Sequence, residues 1–171
     1  ASKMRDEIIT TPIEHPSVLE PAKFLSHEGQ KVVYVKVAKN GTVDVDDLMS
    51  KISNKTLLVS VMYANNEIGT IEPIIKIGKI IKSRKGKDGL PLFHVDACQA
   101  AGYLNMNVNT LGADLLSFNG SKIYGPRGVG VLYVRKGTKL MPYILGGGQE
   151  RGLRAGTENL PAITGLAKAI T

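Results

Sequence analysis

Apolar runs of strand length alternate along this chain with longer stretches of helical period. Residues 8–13 read as a first strand. Pro16 suits the first turn of a helix on which Val18, Leu19, Ala22 and Leu25 share a face, and Gly29 ends it. Residues 31–37 are a second strand, followed by the turn signal Asn40-Gly41. Asp44 is placed to cap a helix carrying Leu48, Met49 and Ile52. Residues 56–62 are apolar enough for a strand buried on both faces. Pro73 opens a helix that turns Ile74, Ile77, Ile80 and Ile81 inward and stops near Gly86. Residues 92–95, 115–118 and 129–134 are three further strands, the last reached through Gly125-Pro126. Asn159 caps a final helix with Pro161 in its first turn. The expected fold is α/β, a mostly parallel sheet flanked by helices.

Composition removes several classes of function. With 43% hydrophobic and 22% charged residues among 171, the chain can bury a core, which a disordered chain cannot. No apolar stretch approaches the roughly 20 residues of a membrane helix, so no membrane partner is expected. The single cysteine, Cys98, excludes an internal disulfide and a cysteine-based zinc finger, and the three histidines show no zinc spacing. No metal is therefore expected. Residues 1–9 are charged and carry no signal-peptide core, which predicts a reducing, cytoplasmic setting. The net charge of +7 raises nucleic acid as a partner, but the excess is scattered. Its one dense cluster, Lys79, Lys82, Arg84, Lys85 and Lys87, falls at a helix end, where cations suit the macrodipole. Trp is absent and aromatics are sparse, so there is no surface for base stacking and no nucleic acid is expected. The cluster reads as a solvated helix end, with an acidic scaffold partner as the alternative.

In an open parallel sheet, ligands bind beyond the carboxyl ends of the strands. The segments there carry chemistry. Glu14-His15 follows the first strand and Asn65-Asn66 the third; Asp96, with Gln99 three residues on, follows the fourth; Asn119-Gly120-Ser121-Lys122 follows the fifth. Singly, each has an ordinary reading: Asp96 as a helix cap, Lys122 as a solvated charge, His15 as a helix start, Asn65-Asn66 as an Asx turn, and Cys98 as a small buried hydrophobe. Together they match the needs of pyridoxal phosphate, an amine for a Schiff base and an acid against the pyridinium nitrogen. An amide such as Asn65 or Gln99 could meet the ring oxygen, and an imidazole such as His15 could stack on the ring. A lysine at its ordinary pKa is protonated at pH 7, so such a site needs burial or neighbouring cations. The rival chemistries lack their patterns: Gly125 is followed by Pro126, not by the Lys-Ser/Thr of a phosphate loop, and no Gly-x-Ser-x-Gly elbow is present.

His94-Val95-Asp96-Ala97-Cys98-Gln99-Ala100 and the run from Ser117-Phe118-Asn119-Gly120-Ser121-Lys122 through Gly125-Pro126-Arg127-Gly128 resemble the core of the cysteine desulfurases. These are class V aminotransferase-like, fold-type I pyridoxal phosphate enzymes. Glu14-His15, Asn65-Asn66-Glu67-Ile68-Gly69-Thr70 and Arg154-Ala155-Gly156-Thr157-Glu158-Asn159 match further motifs of that family in the same order, so the resemblance spans nearly the whole chain. It implies Lys122 as the Schiff-base lysine, Asp96 at the pyridine nitrogen, Gln99 and Asn65 at the ring hydroxyl, and His15 stacked on the ring and assisting proton transfer. It places Thr157 at the cofactor phosphate of the other subunit in a homodimer. Two positions depart from the family pattern: Ser121 stands where a His usually precedes the lysine, and Asn119 where a phosphate-binding Ser is usual. Both can still hydrogen-bond a phosphate.

The implied reaction takes sulfur from L-cysteine, giving alanine and an enzyme persulfide that sulfur-acceptor or scaffold proteins carry to iron–sulfur cluster or thio-modification pathways. A selenocysteine lyase or related carbon–sulfur lyase of the same fold, and a non-catalytic fragment, are the alternatives. The resemblance equates the chain with the central part of the large cofactor domain. The family's N-terminal phosphate loop lies outside it, as does the small domain with the sulfur-accepting cysteine. The segment alone is thus expected not to complete the cycle. Cys98 occupies a variable position of the Asp-x-x-Gln motif and is not that cysteine.

Overall fold

In the computed structural model, which describes residues 5–171, six strands form one sheet. They are β1 (Glu7–Thr10), β2 (Lys31–Tyr34), β3 (Thr56–Met62), β4 (Leu92–Asp96), β5 (Leu115–Asn119) and β6 (Gly130–Val134). Their spatial order is β2-β1-β3-β4-β5-β6, with β1 to β5 parallel and β6 antiparallel to β5. The helices are α1 (Pro16–His27), α2 (Val45–Lys51), α3 (Ile74–Arg84), α4 (Val108–Leu111) and α5 (Leu160–Ile170). The alternating apolar pattern thus produces the mostly parallel α/β sheet it predicts.

Local side chains fix the boundaries. The Asp44 carboxylate accepts the N–H groups of Asp46 and Asp47 at the start of α2, and Asn159 accepts that of Ala162 in α5. β1 stops at Thr10 rather than at residue 13, and β2 at Tyr34 rather than at 37. After the hydrogen bond from Val35 N–H to the Thr10 carbonyl, the two chains diverge. Residues 11–14 then turn into α1, and Val37 bridges to Val43 around Asn40-Gly41. α4 is a single turn that apolar period cannot signal; it is nucleated by Asn107, whose side chain accepts from Asn109 and Thr110 N–H.

One face of the sheet carries the main core. Val59, Val61, Phe93, Val95 and Leu116 pack there against Leu48 of α2, Ile74, Ile77 and Ile81 of α3, and Leu111 of α4. Strand alternation sends Ser60, Met62, His94, Asp96, Ser117 and Asn119 to the other face. A second, smaller core of Ala101, Ile123 and Leu166 ties α5 to the turn bearing Lys122. The basic cluster after α3 is only partly solvated. Lys85 turns inward, its Nζ 2.7 Å from both oxygens of the buried Asp114.

The chain runs from β1 outward to β2, returns past β1 to β3, and continues through β4 to β5. The strand order therefore reverses between β1 and β3, which opens a crevice at their carboxyl ends.

Candidate active site

The carboxyl edge of the sheet gathers the chemistry-bearing residues. Asp96, the last residue of β4, is 7% exposed, and its Oδ1 accepts the Cys98 N–H at 3.0 Å. Among the described residues no Lys, Arg or His side chain forms an ion pair with it. A carboxylate this buried is ordinarily paired, which sets Asp96 apart from the buried, lysine-paired Asp114. Beneath it on the same face of β4, His94 spans three strands, its Nδ1 2.8 Å from Ser60 Oγ and its Nε2 3.0 Å from Ser117 Oγ. Burial lowers its pKa against the pull of Asp96, so His94 is held neutral as a crossbar under the site.

Cys98 sits between the two halves of the cluster. Asn119 Nδ2 points at its sulfur at 3.6 Å, and burial together with the Asp96 carboxylate pushes the thiol up to about 12. It is therefore protonated at neutral pH and a poor nucleophile, as expected of a residue that does not accept sulfur. Asn119 Oδ1 accepts the Ser121 hydroxyl at 2.9 Å, which couples the two positions that depart from the family pattern. Lys122 ends a 3-10 turn over Gly120–Lys122 and is exposed. The turn is tight: Gly125 N–H donates to the Gly120 carbonyl at 2.9 Å, and Tyr124 adopts φ 62, a left-handed conformation unusual for an aromatic residue.

His15 is exposed and caps α1, its Nδ1 accepting the Ser17 N–H at 3.1 Å. The same Nδ1 lies 2.8 Å from the Ser17 hydroxyl, so the imidazole is held at the start of α1. Gln99 is half-buried and lines a shallow cleft with Asn66, Ile71 and Tyr103. Thr157 is exposed in the segment before α5, and no hydrogen bond among the described residues joins it to the cluster.

Asn65 takes up the Asx-turn role that its place in the sequence also allows. Its buried side chain donates from Nδ2 to the Ile13 carbonyl (3.0 Å), and its Oδ1 accepts the N–H groups of Glu67 (2.8 Å) and Ile68 (3.0 Å). It closes an Asx turn and anchors the β1–α1 loop, which leaves its amide committed. Asn66 is exposed and lines the cleft with Asn65 and Gln99. The signal lay in the spacing, because an Asn two residues before Glu67 is placed for that turn. Asn65→Ala is accordingly expected to lower stability by about 1–2 kcal/mol in urea unfolding, and Asn66→Ala by under ~0.5 kcal/mol. Equal losses would refute this division of roles.

Two acidic groups beside the crevice have elevated pKa values. Burial raises Glu14 to about 7 against its hydrogen bonds from Met62 and Thr11, with Asp96 and Glu72 adding like charge. Burial also raises Glu72, whose Oε2 accepts the Val43 N–H at 2.8 Å. Among the described residues there is no cluster of three His, Cys, Asp or Glu suited to a metal ion, and no helix long and apolar enough to cross a membrane.

The sequence pattern described as Aminotransferase class-V matches residues 1–171. The chain belongs to the aminotransferase class-V family. Members of this family related to cysteine desulfurases depend on pyridoxal phosphate. Similarity to a cysteine desulfurase IscS of Clostridium botulinum (strain Hall) is 51% identity over 168 residues, covering 98% of this chain and 41% of that protein. A mitosomal cysteine desulfurase of Trachipleistophora hominis is 51% identical over 164 residues, 95% of this chain and 36% of its own length. Among solved structures, a NifS-like protein superposes with a TM-score of 0.92 at 47% identity, covering 98% of this chain and 45% of that one. This class-V chain spans about two fifths of the length of the curated relatives it matches.

Proposed function

We propose that this chain carries the cofactor-binding core of a pyridoxal-phosphate-dependent cysteine desulfurase, a central segment of the large domain. The observation that carries the reading is Asp96, a buried carboxylate with no cationic side chain paired to it among the described residues, at the strand end next to the turn that presents Lys122. The set of polar groups at this edge fits the cofactor: one amine, one acceptor-only carboxylate, three amides and an imidazole. When bound, pyridoxal phosphate supplies an electron sink for bond cleavage at the substrate α-carbon.

The protein's own residues supply the rest. Lys122 offers the amine that anchors the cofactor and exchanges protons with substrate. Asp96 holds a protonated ring nitrogen by charge and hydrogen bond. Gln99 and Asn66, which line the cleft, would hold the ring oxygen, and His15 would stack on the ring and assist proton transfer. Asn119 and Ser121, already hydrogen-bonded to each other, would hold the phosphate, and Thr157 of a second copy would reach it in a dimer. The exposed apolar side chains of Tyr124, Met141, Tyr143 and Leu145 support that dimer. The net reaction moves the sulfur of L-cysteine onto a cysteine thiol of the complete protein, leaving alanine. The persulfide sulfur then passes to an acceptor or scaffold protein for iron–sulfur cluster assembly. Cys98, protonated and half-buried, is not the acceptor thiol. A reducing compartment such as the cytoplasm suits both the free thiol and a persulfide.

Cofactor capture tests the proposal. The protein is mixed with pyridoxal phosphate, reduced with borohydride, and the modified peptide is mapped by mass spectrometry. A single adduct on Lys122, lost in Lys122→Ala, is the expected result. Adducts spread over many lysines, unchanged in that variant, would overturn it.

A further inference from the structure

The crevice between β1 and β3 holds a carboxyl group that the proposed chemistry does not use. Glu14 lies in the β1–α1 turn, one residue before His15, and is 4% exposed. Its Oε1 accepts the Met62 N–H at the carboxyl end of β3 and the Thr11 hydroxyl, both at 2.8 Å. Its Oε2 is buried with no hydrogen-bond partner among the described residues. Met62 is the register partner of Asp96 on β4, and the next N–H, that of Tyr63, donates to the Asp96 carbonyl at 2.8 Å. A short chain of contacts therefore runs from His15 through Glu14 and Met62 to Asp96, across the place where the strand order reverses.

We propose that Glu14 is a positioning residue whose carboxyl clamps the β1–α1 turn, and with it the His15 imidazole, to the end of β3 beside Asp96. Its consequence for cofactor binding rests on the site assigned to Lys122 and Asp96; the clamp itself does not. β1 pairing ends at Thr10, so residues 11–15 have no ladder of their own. Besides Glu14, the turn is tied to the β3 side by the Asn65 amide on the Ile13 carbonyl. An alanine at position 14 would leave the Met62 N–H buried without an acceptor and free the turn on one side.

The clamp is also sensitive to protons. The charged groups that face Glu14 are both acidic: Asp96 from the end of β4, and Glu72 from the segment between β3 and α3. His15, its neighbour in the chain, turns its Nδ1 to Ser17 instead. Burial, with these like charges adding to it and no cation set against them among the described residues, raises the Glu14 carboxyl to about 7. A cation docked on Asp96 would relieve the repulsion, so its binding and the ionisation of Glu14 favour each other.

Two variants and three readouts test this. In the wild type, the Met62 amide resonance is expected to titrate with a midpoint of about 7, following the carboxyl to which it donates. Glu14→Gln keeps an acceptor oxygen, so it should abolish that titration yet hold pyridoxal phosphate affinity at pH 6 within about twofold. Glu14→Ala should weaken the cofactor about tenfold and speed amide exchange across residues 11–18. A Met62 amide that does not titrate between pH 6 and 8 would overturn the clamp, as would a folded Glu14→Ala protein with wild-type exchange and affinity. If the wild type shows the Met62 titration and exchange protection but captures no cofactor on Lys122, the clamp stands and the cofactor reading fails.

Discussion

Gly78→Ala is expected to destabilise the protein by about 3 kcal/mol or more, despite placing a better helix former in the middle of a helix. Gly78 lies on the inward face of α3 with Ile74, Ile77 and Ile81, where α3 crosses the end of α4. A Cβ there would stand 2.1 Å from the Leu111 carbonyl oxygen and 3.4 Å from Gly112 Cα. Both are backbone, so no rotamer change relieves the overlap. Gly112 cannot retreat freely, since it ends α4 at φ +70 and its own Cβ position is 3.3 Å from Gly78 Cα. Helix propensity favours alanine by about 1 kcal/mol, and overlap with a fixed carbonyl exceeds that. The helix must move off its neighbour and pull Ile77 and Ile81 away from the sheet. Urea unfolding measures the loss, and a midpoint equal to that of the wild type would show that α3 and α4 slide apart easily.

The framework of this fold was legible because its signals are local. Asp44 and Asn159 cap the helices they were expected to cap, and residues 56–62 carry enough apolar side chains to sit in the centre of a parallel sheet. The edge that carries the candidate site followed from strand direction, which brings Glu14-His15, Asn65-Asn66, Asp96 and Lys122 to one end of the sheet. What escaped was whatever depends on a partner remote in sequence. The early ends of β1 and β2 depend on where two chains diverge, which apolar pattern does not encode. Lys85 looks like one cation among several until Asp114, 29 residues on, comes to meet it. Asn65 and Asn66 are chemically identical neighbours; the local turn to Glu67 and Ile68 engages the Asn65 oxygen, but the remote Ile13 carbonyl that takes its Nδ2 is not visible in the sequence. The clamp formed by Glu14 was invisible for the same reason, because its partner N–H lies 48 residues away on β3.

Asp114→Ala is expected to cost about 3–5 kcal/mol, at the opposite end of the sheet from the site. Asp114 is 4% exposed and joins three elements: its Oδ2 accepts the Phe93 N–H of β4 at 2.8 Å, both oxygens meet Lys85 Nζ after α3, and Arg135 Nε after β6 lies 3.7 Å from Oδ1. Alanine strands a buried N–H and leaves a half-buried ammonium without a counter-charge. Arg135 suffers less, since it also donates to the Ala113 and Val108 carbonyls. Asp114→Asn would keep an acceptor for Phe93 while losing the charge, so its loss should be smaller, about 2 kcal/mol. Urea midpoints that fall from the wild type to Asp114→Asn and again to Asp114→Ala distinguish a buried ion pair from simple packing. Simple packing would leave both variants near the wild type. Because none of these contacts touches the carboxyl edge, both variants should still form the single borohydride-fixed adduct on Lys122 under conditions where they remain folded. Loss of that adduct in a folded Asp114→Asn protein would mean that the two ends of the sheet are coupled, and that the site depends on more than the strand ends that present it.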